Sequence, residues 1–99
     1  MSVQYIFEWD ENKDRANKEK HGVSFEEART IFYDEWALQS YDPDHSTDED
    51  RFLMLGVSSR LRTLVVCHCL KDEALIRIIS VRKATKKEAD HYEEMRYEG

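Results

Sequence analysis

The chain has 99 residues, with 21 Asp and Glu against 15 Lys and Arg, a formal net charge of −6 and a sequence pI near 5.2. At this length one domain, residues 1–99, buries roughly two-thirds of its unfolded surface, which excludes a two-domain enzyme. Forty per cent hydrophobic residues with only three Gly and one Pro exclude a disordered or fibrous polymer.

Tyr5-Ile6-Phe7-Glu8-Trp9 has the composition of a short strand, stopped at Asp10, whose carboxylate suits the free N–H groups of a following helix. That first helix, over 11–20, has Ala16 as its only apolar residue and is expected on the surface, ended by Gly22 after His21. Ser24 and Glu27 have the spacing of a capping box for a second helix, whose stripe Phe25, Ala28, Ile31 and Phe32 ends near Tyr33. Trp36 to Tyr41 reads as a strand stopped by the turn Asp42-Pro43-Asp44, before an acidic loop to Asp50. Three β-rich segments follow, 51–57, 61–69 and 74–81, with connections of hairpin length, which predicts an antiparallel meander. Thr85 and Glu88 form a second capping box for a C-terminal helix with Ala89, Tyr92 and Met95 on one stripe. The order predicts an α+β fold: a meander with two N-terminal helices and a C-terminal helix, covered chiefly on one face and open for binding on the other.

No apolar run reaches the ~18 residues that span a bilayer, and Met1-Ser2-Val3-Gln4-Tyr5 lacks the layout of a signal peptide, so the expected location is cytoplasmic, without a membrane. Cys67 and Cys69 are too close for an unstrained disulfide and are expected as buried thiols. In a strand His68 points away from both, so Cys67-His68-Cys69 cannot close around one ion. His68 is a candidate proton carrier whose plainer reading is a satisfied core residue. The acidic loop lacks the spacing of a calcium site, and the chain carries no phosphate-binding glycine loop, nucleophile elbow or dinucleotide fingerprint, so no metal and no cofactor is expected.

Charge is distributed unevenly. Blocks 1–25, 26–50, 51–87 and 88–99 carry −1, −8, +7 and −4, so an acidic chain still contains a basic segment suited to a polyanion. Arg51, Arg60, Arg62 and Lys86 are its candidate RNA contacts, with solvated strand and turn charges as the plainer reading. Arg77 stands alone among apolar residues in Leu75-Ile76-Arg77-Ile78-Ile79 and calls for either a carboxylate partner or a functional anion. His21, following Lys20, sits where a helix dipole favours cations.

In order and spacing, Phe7-Glu8-Trp9-Asp10, Lys20-His21-Gly22-Val23-Ser24-Phe25-Glu26-Glu27-Ala28, Asp42-Pro43-Asp44-His45-Ser46, Glu49-Asp50-Arg51-Phe52, Leu55-Gly56 and the run 77–85 resemble the BrnT-type toxins of type II toxin-antitoxin systems. The resemblance implies a RelE-like fold and a metal-independent endoribonuclease that stops growth. It also implies a BrnA-type ribbon-helix-helix antitoxin, with operator DNA met only through that partner. By position in the matching motifs it assigns Arg77 and Arg82 to the phosphate or transition state, Lys83 as a further cation, and His21 with Lys20 to proton transfer. The acidic balance and the lack of a compelling acid/base pair motivate a second function class, a non-catalytic binding module that acts as antitoxin partner and transcriptional co-repressor.

Overall fold

The computed structural model describes residues 4–98; the expectation about a leader rests partly on Met1 to Val3, which lie outside them. Five strands, β1 (Ile6–Glu8), β2 (Leu38–Tyr41), β3 (Phe52–Val57), β4 (Thr63–Leu70) and β5 (Leu75–Lys83), form one sheet in the order β1-β5-β4-β3-β2. β2 to β5 form the predicted antiparallel meander, but β1 pairs parallel to β5, with Phe7 opposite Ile76. The sheet is therefore mixed, a correction to the antiparallel expectation. The three helices are α1 (Glu11–His21), α2 (Phe25–Ala28) and α3 (Lys86–Glu98).

Asp10 caps α1 as its sequence suggests, its Oδ1 accepting from the N–H groups of Asn12 (2.7 Å) and Lys13 (3.2 Å). Gly22 ends α1 in the left-handed region at φ 69°. The buried face of α1 is polar: Asp14 and Asn17 are buried, while Ala16 is exposed. Asn17 Nδ2 donates to Val23 O (2.9 Å) and Val81 O (2.8 Å), and its Oδ1 accepts from Val81 N–H (3.0 Å). Beyond the three residues that β1 pairs, this amide completes the edge of β5 as another strand would. Asp14 Oδ1 accepts from Phe25 N–H (2.9 Å), which ties α1 to the start of α2.

The second predicted helix is α-helical only over 25–28 and continues as a 3-10 turn, Arg29–Tyr33. Thr30, Ile31, Phe32 and Tyr33 are β-branched or aromatic and favour an α-helix weakly, and Thr30 Oγ1 donates to Glu27 O (2.6 Å). The stripe still packs as read. Val23, Phe25, Ala28 and Ile31 meet Leu64, Val66, Ile78 and Val81 in the core, flanked by Phe7, Trp9, Phe32 and Met54. Gly56 lets the chain after that turn come close, since a Cβ there would stand 3.2 Å from Ala37 Cβ and 3.3 Å from Asp34 Oδ2.

A bulge in β5 decides which side chains reach the face turned from the core. Cys67 pairs with Ser80 but His68 with Ile78, which leaves Ile79 as the extra residue. Arg77 and Arg82 are five apart, an odd number that strict alternation sends to opposite faces. With the bulge, Arg77 stands opposite Cys69 and Arg82 opposite Val65, residues that share one face of β4. Lys83, opposite the core residue Leu64, belongs to the helix-covered face.

Candidate functional site

The sheet face turned from the α2 core is not open as expected, since Val65, Cys67 and Cys69 on it are buried. There Leu38 and Ser40 of β2, Leu53 and Leu55 of β3 and Val65 of β4 line a cleft of about 500 Å³, walled by Lys87, Glu88 and His91 of α3. The second capping box forms completely: Thr85 N–H donates to Glu88 Oε1 (2.8 Å) and Glu88 N–H to Thr85 Oγ1 (3.2 Å). The same carboxylate receives both arms of the Arg82 guanidinium, Nη1 to Oε1 at 2.7 Å and Nη2 to Oε2 at 2.9 Å. Those bonds from Arg82 outweigh partial burial and hold Glu88 down to about 2. Arg82 does not itself line the cleft and adjoins it through Glu88.

The other predicted site residues lie elsewhere. Arg77 is not the isolated cation of an apolar strand. Ile76 and Ile78 turn to the core, and the guanidinium Nε lies 3.5 Å from Glu8 Oε1, with both side chains nearly half exposed. Of the two explanations left open for Arg77, the carboxylate partner is present. Lys20 and His21 end α1 and line no part of the cleft. Arg62 reaches that end, its Nη2 donating to Gly22 O at 3.4 Å. Arg51 Nη2 is 3.9 Å from Glu49 Oε1, and Lys86 Nζ is 2.8 Å from Asp90 Oδ2 on its own helix.

Arg60 and Arg62 converge on buried Glu27. Arg62 Nε donates to Glu27 Oε2 (2.9 Å), its Nη2 donates to Oε1, and Ser58 Oγ donates to Oε2 (2.7 Å), with Arg60 Nη1 3.9 Å from Oε1. The Arg62 bonds hold Glu27 below the usual carboxylate range against the opposing effect of burial. Ser24 Oγ accepts from Glu27 N–H (3.1 Å), but the Glu27 carboxylate is spent on these partners, so the first capping box forms by half. Of the nine basic residues in 51–87, all but Lys83 and Lys87 have a carboxylate within 4 Å among the described residues. The +7 segment is therefore largely neutralised in place, partly by Glu27 and Glu49 from the −8 segment.

Cys67 and Cys69 are buried free thiols, and burial pushes both up, away from thiolate character. His68 is fully buried, its ring edge-on to Phe32 at 4.8 Å and its Nε2 3.1 Å from Gln39 Oε1, and burial lowers its pKa. It is the core residue of the plainer reading. Tyr92 is buried on its stripe and donates its hydroxyl to Asp34 Oδ2 (2.6 Å). Burial and this bond push Tyr92 up to about 12. Burial raises Asp34 as well, but the donors Tyr92, Val57 N–H and Trp36 N–H outweigh it and leave Asp34 low. The role of Asp34 and the position of His91 went unread in the sequence. For His91 the usable signal was its spacing of three and four residues from Glu88 and Lys87 on a helix whose start the capping box had located.

The comparisons agree on the class and then on the family. The fold is that of a solved ribonuclease toxin, BrnT of Brucella abortus, whose 1.1 Å crystal structure matches with a TM-score of 0.58 and 23% identity over 86% of this chain and 100% of that one. A family model described as the ribonuclease toxin BrnT of type II toxin-antitoxin systems matches residues 9–88, and the chain belongs to that family. It is accordingly a ribonuclease toxin with RNA as substrate and an antitoxin as partner. A comparison with curated proteins gave no match. Among the described residues no helix is long and apolar enough to cross a membrane.

Proposed function

We propose that the chain is a metal-independent endoribonuclease, a single RelE-like domain over residues 1–99, that cuts RNA in the cleft between the sheet and α3. The carrying observation is the two-pronged Arg82–Glu88 pair at the cleft wall, with Lys87 beside it. An RNA phosphate offers Arg82 the same two oxygens that Glu88 does and, unlike Glu88, develops extra charge as the 2′-hydroxyl attacks phosphorus. In this reading Arg82 steadies the scissile phosphate and Lys87 adds charge. Arg77, Arg51, Arg60 and Lys86 meet flanking phosphates, whereas Arg62, committed to buried Glu27, and Lys83, on the helix-covered face, take no part, and the place of Lys20 and His21 outside the cleft argues against the proton-transfer role that the resemblance gives them. The toxin acts in the cytoplasm and is held inactive by a BrnA-type ribbon-helix-helix antitoxin, through which alone it meets operator DNA.

The neutralised basic segment favours the second reading, a non-catalytic antitoxin partner and co-repressor. Incubating the purified chain with mixed-sequence RNA in chelator decides between them. Wild type is expected to cleave, with Arg82→Ala slower by about 10²-fold. Failure of the folded wild type to cleave sinks the enzymatic reading and leaves the co-repressor.

A further inference from the structure

Cleavage by the 2′-hydroxyl needs a proton acceptor beside the scissile phosphate, and neutral imidazole is the side chain best suited near neutrality. The chain has four histidines. His68 is walled into the core. His45 Nδ1 lies 2.9 Å from Asp42 Oδ2 on a separate 3-10 turn, Pro43–His45. His21 closes α1 outside the cleft. His91 alone lines the cleft, exposed on the α3 face that also carries Lys87 and Glu88. Of the carboxylates on α3 only Glu88 lines the cleft, and its Oε1 stays bonded to the Thr85 N–H when Arg82 turns to the phosphate; Tyr92 donates its hydroxyl to Asp34.

Resting on the placement of RNA cleavage in this cleft, we infer that His91 is the catalytic proton acceptor. The 2′-O–P bond forms and the P–O5′ bond breaks. The 2′-hydroxyl proton passes to His91 and the departing 5′-oxygen takes one from water, leaving a 2′,3′-cyclic phosphate and a 5′-hydroxyl. The imidazolium then returns its proton to solvent. Lys87 in the cleft, and Arg82, which adjoins it through Glu88, hold the phosphate oxygens while this happens, so charge stabilisation and proton transfer meet at one helix start.

The test is single-turnover cleavage of a mixed-sequence RNA by the full chain in chelator, with His91→Ala, His91→Asn and His91→Ala plus added imidazole. His91 is exposed, so unchanged circular dichroism and thermal midpoint are expected for both variants. Both should lose about 10²-fold in rate at saturating RNA with KM retained, and imidazole should restore part of the Ala variant's rate. Wild-type rate in His91→Ala, recovery by Asn, or failure of imidazole to rescue overturns the inference while wild-type cleavage upholds the reading beneath it. An inactive wild type overturns both.

Discussion

Two arginine–carboxylate pairs of the same chemistry serve different ends. Glu27 and Arg62 meet under the β3–β4 turn, with the Glu27 side chain 4% exposed and Ser58 completing its shell. Arg82 and Glu88 meet at the cleft rim with 41% and 32% of their side chains exposed. In the first pair the carboxylate is the buried member, so any anion that displaced it would strand a charge among apolar atoms. In the second, water already reaches both partners, so the proposed exchange of Glu88 for a phosphate strands no buried charge. Depth, and not the pairing itself, separates a strut of the fold from the solvent-exposed pair to which the proposed RNA contact is assigned.

Glu27→Ala should therefore produce the largest loss. It removes the acceptor of Ser58 and Arg62 at once and lowers unfolding stability by about 3 kcal/mol, read by urea denaturation. A loss as small as that of a surface pair would erase the distinction. Acid titration sharpens it further. Glu88 is lowered to about 2 from an ordinary 4.5, so its contribution is present above pH 4.5 and fades as pH falls toward 2. In Glu88→Gln that part of the acid slope should vanish, at a neutral-pH cost of about 1 kcal/mol once solvent screening of so exposed a pair is counted. Equal acid slopes for variant and wild type would show that the pair does not hold α3. The smallest effect belongs to Glu8→Gln, which opens the half-exposed Arg77 pair and should shift stability by less than about 0.5 kcal/mol in the same denaturation series.

Where information was local, the sequence could be read directly. Asp10, Gly22, Thr85 and Glu88 each act within four residues of themselves, and their caps form at the expected positions. The helix-2 stripe named its core residues even though the backbone tightens into a 3-10 turn. Distance along the chain hid the rest. The partner of Asn17 is 64 residues away, and that of Asp34 in Tyr92 is 58. Nothing near Arg77 in the chain reveals that β1 will lay Glu8 beside it. The block charges showed a basic segment, but side-chain pairing across the fold neutralises most of it.

By itself, then, the order of residues determined the positions of the elements, the caps of α1 and α3, the core stripe and, through the motif series, the family. These depend on short-range hydrogen bonding and on the periodicity of apolar side chains, both written along the chain. Only the tertiary structure decided that β1 joins β5 in parallel and that a bulge at Ile79 turns Arg77 and Arg82 to one face. It alone also seats His91 in the cleft beside Lys87 and Glu88. Strand pairing and register are settled by packing between segments far apart in sequence, and a shift of one residue reverses every side chain that follows.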